Sequence, residues 1–491
     1  MPAMLFRQAD QVDDPTRDSE HSPELPYYLT PSVKRFSTSP PRQCRAIYTA
    51  LLESRRYQAV LLISLAFATL FLFHFQWNHP KLPPLYEKYH ERELSLPQHN
   101  PDLPLPEGRH GKYLFSSAHP DGVGWGNFMQ ELVLDAYLAH KAGRAFVFDN
   151  YTWNRHGPEY SEFGGKLIPS RIPLSVLIAG PIVGGAFPHG DSSPRSVREE
   201  YFRRVCPEPA QINGKEIVDQ YVFGSTTVLI EKWLEKLQSV DNRCVEITQG
   251  TSAPFTEWTF GMSYVLDAWD DIAKSPMLLN FRWSSLVESG LAANLPSIYT
   301  GPPGGTYPYT TLPGLLTLQI RRGDFDKHCV HLLIYGSQWE GFNSFPQFPD
   351  RYTAVRGSGS GKDDAPEASR AEHMRHCYPN PVQIAAKVSE ILQTSTGKSL
   401  TDVYIMTNGN ERFIAEVKGQ VGRLKAWRSI KSSRDLVLSH EQHYIKQAID
   451  MLIGIRSDVI IGNGWSSMSS NMAMLRMALL PDLPPDHTRY W

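Results

Sequence analysis

Two adjacent arginines close an apolar run near the middle of the chain. Residues 315–320 (LLTLQI) read as a strand, and Arg321, Arg322, Gly323 and Asp324 follow it directly. Arginine presents a planar fork of permanently charged donors that matches the oxygens of a phosphate. A pair at a strand end suits a pyrophosphate. The structural alternative is an ion pair between one arginine and Asp324 or Asp326. A second polar cluster, Gly462 to Ser467 (GNGWSS), joins an apolar run at 458–461 (DVII) to a helical pattern at 467–479. Backbone N–H groups and the hydroxyls of Ser466 and Ser467 at such a helix start could hold an anion. The alternative is ordinary capping. A third cluster is the glycine-rich turn 119–127 (HPDGVGWGN), with Asp121, Gly126 and Asn127. Asp121 could take a proton from a hydroxyl, or simply form a turn before Gly122.

These groups need a scaffold, and the flanking periodicity supplies one. Residues 112–117 (KYLFSS) form a strand, 128–141 a helix stopped by Gly143, and 144–148 (RAFVF) a buried strand ending at Asp149. A second set begins near 312. It runs as strand 315–320, helix 381–393, strand 402–406 (DVYIM) ending in Thr407-Asn408, helix 411–418, an amphipathic helix 441–456, strand 458–461 and helix 467–479. Alternating strands and helices predict parallel sheets with ligands at the carboxyl ends of the strands. Arg321, Arg322 and Asp324, then Asn408, then Asn463, Ser466 and Ser467 follow three different strands. Two distractors fall away. Residues 357–369 (GSGSGKDDAPEAS) lack the first glycine of a phosphate loop. Asp267, Asp270 and Asp271 lie in a helical stretch and not at a strand end, where a metal-dependent transferase would want Asp-x-Asp.

Three segments together resemble the GDP-fucose-dependent protein O-fucosyltransferases and their wider fucosyltransferase relatives. They are GWGN (124–127) entering a helix, IRRGDF (320–325) with His328-Cys329 behind it, and SDVIIGNGWSSMSSN (457–471). Order and spacing fit over about residues 110–480. The resemblance implies an α/β protein of two Rossmann-like domains facing across a cleft, the GT-B arrangement, with the donor mostly on the C-terminal domain. It implies transfer of fucose from GDP-fucose to a protein or glycan hydroxyl by an inverting reaction. No cofactor and no metal are expected. Carried over by motif, Arg321 acts on the donor phosphates, Asn127 with Gly126 approaches the donor from the first domain, Ser466 and Ser467 meet the phosphates, and Asp458 contacts the guanine. Arg322, Asp324, Asn408 and Asn463 complete the expected donor site, and Asp121 is the candidate base. Two positions depart from the family: Gln319 stands where a histidine is common, and Thr407-Asn408 where Thr-Asp is common.

Compartment follows from hydropathy. Residues 57–77 (YQAVLLISLAFATLFLFHFQW) carry no charge. As a helix these 21 residues span about 31 Å, one hydrocarbon core, with Tyr57 and Trp77 at the interfaces. The preceding 23 residues hold six Lys/Arg and one acid; the following 23 hold three of each. The basic side stays cytosolic. This predicts a single-pass type II protein of the Golgi or ER membrane. The expected segments are a disordered tail at 1–56, a transmembrane helix at 57–77 and a proline-rich extended stem at 78–109. An N-terminal domain at 110–305 and a donor-binding domain at 306–491 complete the chain. Four of the five cysteines fall on the lumenal side. Four allow three pairings; closure of local loops favours Cys206–Cys244 and Cys329–Cys377. Asn150-Tyr-Thr152 is the sole N-glycosylation sequon.

Composition excludes other classes. The chain has 491 residues, 41% hydrophobic and 20% charged, with 49 basic and 51 acidic side chains and a net charge of −2. It is too apolar to be mainly disordered and too neutral to hold nucleic acid by bulk electrostatics. Two other readings compete: a catalytically inactive lumenal binding protein on the same fold, and a NAD(P)-dependent oxidoreductase, for which the G-x-G-x-x-G fingerprint is missing.

Overall fold

The computed structural model describes residues 58–60, 62–67, 69, 81–305 and 307–491. The chain divides into two units, 1–81 and 82–491. In the first, the described residues between 58 and 69 are helical and exposed. Among the described residues no helix is long and apolar enough to cross a membrane. Most of the 57–77 span, and all of the 1–56 tail, lie outside them.

The second unit is built on two five-stranded parallel sheets. The first holds β1 (Tyr113–Ser116), β2 (Ala145–Phe148), β3 (Val197–Arg198), β4 (Ala210–Ile212) and β5 (Cys244–Ile247), in the order β3-β2-β1-β5-β4. The second holds β6 (Leu312–Ile320), β7 (Asp402–Thr407), β8 (Ser429–Ser432), β9 (Ser457–Gly462) and β10 (Thr488–Tyr490), in the order β8-β7-β6-β9-β10. The second sheet is doubly wound. Its strand order reverses between β6 and β9, so a crevice opens at their carboxyl ends. The runs are continuously buried because helices cover both faces: β7 is buried at every position.

Helix α1 (Glu87–Leu94) precedes the first sheet, and here the expected stem is corrected. Tyr86 is 2% exposed and Glu93 1%. Glu93 makes a buried ion pair with Arg198 at 2.6 Å, and Arg198 N–H donates to His99 Nε2. Tyr86 donates to the carbonyl of Glu441, on the other half of the unit, at 2.7 Å. Six prolines set the path of residues 81–109, but between them stand an aromatic ring and a carboxylate that find partners. Residues 83–110 are therefore part of the fold.

Helix α2 (Trp125–Lys141) follows β1 and begins three residues earlier than the periodicity suggests. Helices α3 (Phe325–Ile334), α4 (Pro381–Leu392), α5 (Glu411–Gly422), α6 (Lys446–Arg456) and α7 (Ser467–Leu479) serve the second sheet. The expected single helix 441–456 is interrupted. A capping box between Ser439 and Gln442 starts a short turn (His440–His443), and the chain then kinks to bury Ile445 before α6 begins. The two disulfides are Cys206–Cys244 and Cys329–Cys377.

Candidate functional site

Three chain segments meet at the crevice between β6 and β9. The first is the turn 321–324 at the end of β6. Arg321 and Arg322 part company there, as neighbours on a strand must. Arg322 is 7% exposed. Its guanidinium lies between the rings of Tyr378 and Phe413, at 4.0 and 3.9 Å, and donates to the carbonyls of Tyr378 and Pro379. It is a structural residue, and its expected place in the donor site is withdrawn. The Arg321 side chain is 30% exposed. It stacks on Phe325 at 4.6 Å and stands 4.0 Å from Asp324. Its Nε is buried without a hydrogen bond, and among the described residues its Nη groups have no hydrogen-bond partner either. Burial pulls its pKa below the ordinary arginine value, with Asp324 and Glu340 opposing.

Asn408, at the end of β7, clamps this turn. Its Oδ1 accepts from Arg322 N–H at 2.8 Å and its Nδ2 donates to Arg322 O at 2.7 Å. The carboxamide is thus spent on the backbone that aims Arg321, which corrects its expected role as a donor contact.

The second segment is the turn from β9 into α7. Asn463 is fully buried: its Nδ2 donates to Cys377 O at 2.7 Å and its Oδ1 accepts from Trp465 N–H. It too is structural. Gln319, in β6, ties the two turns together. Its Oε1 accepts from Asn463 N–H and Ser469 Oγ–H, and its Nε2 donates to Ser466 Oγ at 3.3 Å. Ser466 is 3% exposed, and its Oγ accepts from Gln319. Ser467, half-buried, is the hydroxyl left at the helix start.

The third segment is the first turn of α2. Gly126 packs against Ser467 so closely that a Cβ there would lie 2.4 Å from the Ser467 Oγ. Asn471 Nδ2 donates to Gly126 O at 2.7 Å. Gly126 is thus required by the approach of two helices, and any ligand contact would fall to its neighbour. Asn127 is half-buried, and its carboxamide has no hydrogen bond among the described residues.

Two expected residues lie away from this meeting point. Asp458 sits at the amino end of β9, opposite the ligand edge. Its oxygens accept from Gly314 N–H at 2.7 Å and from His487 at 3.0 Å. Burial would raise its pKa, but those bonds hold it below the ordinary carboxylate value. It fixes the start of β6 and does not face the crevice. Asp121 accepts from the backbone and side chain of Arg155, in a cluster with Asp149 and His119 beyond the end of the first sheet. Arg155 Nη1 donates to Asp149 at 2.7 Å, and His119 lies 3.3 Å from Asp149. Burial lowers the His119 pKa, but Asp149 outweighs it and lifts the ring to about 9. Asp149 itself falls to about 2 because His119 and Arg155 override burial. Asp121 is a member of this ionic cluster and not a free base.

The sequon at Asn150 also changes character. It lies in a short antiparallel strand (Asn150–Thr152); Asn150 Oδ1 accepts from Arg198, and Thr152 is 2% exposed.

Two further features lie near this crevice; Glu340 had no sequence signal, and His328 had one only as part of the motif behind 320–325. Glu340 lies beside the β9–α7 turn, where its N–H donates to Gly464 O at 2.9 Å. Burial pushes its carboxyl up to about 8, against the pull of Arg321. His328, one helical turn beyond Asp324, is driven down to about 4 by burial and by Arg321. A separate cavity of about 440 Å³, lined by Glu288, Leu295, Tyr299, Pro303 and Arg456 among others, lies at the amino ends of β6 and β9, away from Arg321.

No protein-family model and no curated protein matches the chain. Among solved structures it is similar to POFUT1 in complex with GDP-fucose, at 14% identity over 77% of this chain and 97% of that one, with a TM-score of 0.46. It is also similar to NodZ alpha-1,6-fucosyltransferase soaked with GDP-fucose, at 11% identity over 74% and 92%, with a TM-score of 0.36. The NodZ fucosyltransferase from Bradyrhizobium matches at 11% identity over 74% and 91%, with a TM-score of 0.31.

Proposed function

We propose that the protein is a glycosyltransferase of GT-B type that moves fucose from GDP-fucose to a protein or glycan hydroxyl, inverting at the sugar carbon and using no metal. The observation that carries this reading is Arg321. It is a charged fork at the point where the strand order reverses, with no hydrogen bond among the described residues, beside the N-terminus of α7. The motif resemblance over 320–325 and 457–471 supplies the sugar and the nucleotide.

In this reaction the bond from the fucosyl carbon to the phosphate oxygen breaks, and its electron pair stays on the departing GDP. Arg321 meets that growing charge through two parallel N–H donors, and the N–H groups opening α7 add to it. The acceptor oxygen bonds to the opposite face of the carbon and gives up its proton to solvent water, so that glycoside, GDP and one proton leave the site. Asn127 and Ser467 carry amide and hydroxyl groups close enough to the meeting point to orient the donor.

The anchor belongs to the same proposal: residues 57–77 cross a Golgi or ER membrane once and leave the catalytic unit in the lumen. Incubation of the full chain with a panel of nucleotide sugars tests the reaction. Release of GDP from GDP-fucose that persists in EDTA is expected. Turnover of another sugar nucleotide, or dependence on manganese, defeats the reading. Recovery of the chain in an alkali-resistant membrane fraction tests the anchor; release into the soluble fraction defeats it.

A further inference from the structure

After α3 the chain turns back over the end of the second sheet. Trp339 packs against Gly464, where a Cβ would sit 2.3 Å from the indole. Glu340 N–H and Asn343 Nδ2 both donate to Gly464 O, at 2.9 and 2.8 Å. Gly341 is pressed on the other side against the carbonyls of Phe260 and Met262, which belong to the first half of the unit. Glu340 is thereby held by its backbone at the seam, next to the turn that starts α7.

Its side chain is left unsatisfied. Glu340 Oε2 is buried with no hydrogen-bond partner, and so is Arg321 Nε. Among the described residues no cation lies within 4.0 Å of Glu340, although Arg321 is within electrostatic reach. A buried polar atom without a partner costs about 1–3 kcal/mol. Two of opposite character at one crevice call for a ligand that joins them.

We infer that Glu340 binds the donor diphosphate as a neutral acid, its carboxyl O–H donating to one phosphate oxygen while Arg321 takes another. This rests on the nucleotide-sugar reading above. A carboxylate would repel the phosphate; a carboxylic acid gives it a hydrogen bond. The charged surroundings permit the neutral form. Arg321 approaches from the end of β6, with Asp324 and His328 flanking it, and that histidine is held uncharged. The first turn of α7 brings no ionisable group. The segment that Gly341 abuts, the backbone of Phe260 and Met262 with Val265, brings no charged side chain, and Arg321 is the one charge that acts on Glu340. Burial pushes the Glu340 carboxyl up to about 8, against the pull of Arg321. If binding needs its proton, affinity falls as pH rises through that value, about tenfold between pH 7 and 9.

The experiment is calorimetric titration of the full chain with GDP at pH 7 and 9, in buffers of different ionisation enthalpy. Glu340→Gln is the control, because an amide keeps a donor and cannot ionise. The phosphate of GDP is fully ionised well below pH 9, and the variant subtracts any other titration of the ligand. For the native protein, binding about tenfold weaker at pH 9 and uptake approaching one proton per GDP are expected. Glu340→Gln should bind like the native protein at pH 7 and show neither effect. PH-independent binding with no proton uptake overturns the inference, as does loss of binding in a folded Glu340→Gln. Absence of GDP binding at both pH values overturns the nucleotide-sugar reading along with it.

Discussion

Replacing Arg321 and Arg322 each by lysine separates two arginines that the sequence presents as a pair. At 322 the guanidinium spans two carbonyls and is flanked by two rings. Lysine cannot hold both carbonyls and lie flat between Tyr378 and Phe413. The loss is one charge-assisted hydrogen bond, about 1.5–3 kcal/mol, and part of two ring contacts at roughly 0.5–1 kcal/mol each. Arg322→Lys should therefore cost about 2–4 kcal/mol of stability. At about 2 °C per kcal/mol for a large unit, the melting temperature falls by roughly 4–8 °C. Arg321 has no hydrogen bond to lose, so Arg321→Lys should melt within about 1 °C of the native protein. Its cost falls on chemistry: losing a preorganised donor to developing charge is worth about 3 kcal/mol, a factor of 10²–10³ in turnover. Differential scanning calorimetry gives the first quantity and GDP release from GDP-fucose the second. If Arg321→Lys unfolds early and turns over normally, while Arg322→Lys does the reverse, the side-chain directions assigned here are wrong.

Three other perturbations follow from the packing and the charges. Gly126→Ala places a methyl 2.4 Å from Ser467 Oγ and should cost about 1–3 kcal/mol. Adding Ser467→Gly should restore most of that in a denaturant melt, and additivity of the two changes would refute the contact. Glu93→Gln breaks a buried ion pair and should lower unfolding free energy by about 3 kcal/mol; an unchanged urea midpoint would mean that α1 is dispensable. The His119–Asp149 pair sets a pH dependence. His119 is raised to about 9, so its contribution is complete below its unfolded value near 6.5 and vanishes as pH climbs through 9. Melting temperature should decline from pH 7 to 9.5, and His119→Gln should start lower and decline less. It will not be flat, because Asp135, raised to about 8 by burial, also loses stability from about pH 4 to 8. An equal slope in native and variant proteins would exclude the histidine.

The parts of the fold that were legible in sequence are those fixed by local pattern. Strands β1, β2, β6, β7 and β9 are mainly apolar runs, followed by serine, aspartate, arginine, asparagine and asparagine in turn, and a parallel sheet buried on both faces produces that signature. The disulfides were legible because each closes a loop within one half of the unit. What sequence concealed depends on distant partners. Arg322 became structural only when Tyr378 and Phe413 arrived from 56 and 91 residues away. Glu340 stands in a stretch without periodicity, between Trp339, which packs on Gly464, and Gly341, which abuts the 260–262 backbone. Residues 78–109 look like a stem in sequence because their prolines outweigh Tyr86, Glu93 and His99 in the pattern. Asp458 is different, since the information was present. A residue that opens a parallel strand lies at the end away from the ligand edge, and that polarity outweighs the motif match.

The polar residues at the β6–β9 crevice divide into holders and candidates for contact, and hydrogen-bonding capacity decides which is which. Gln319 uses its carbonyl oxygen twice and its amide once. A neutral histidine at this place offers a single acceptor, so it could not accept from both Asn463 N–H and Ser469 Oγ–H while donating to Ser466. The glutamine is thus fitted to bracing the turn, a different task from touching a base. Asn408 and Asn463 are spent the same way, on Arg322 and on Cys377 and Trp465. Once these are accounted for, Arg321, Asn127 and Ser467 remain, together with the acid of Glu340. Their uncommitted groups are one permanent cation, neutral donors and a carboxyl whose charge depends on its surroundings. That set suits an anion which arrives charged and leaves with more charge than it brought.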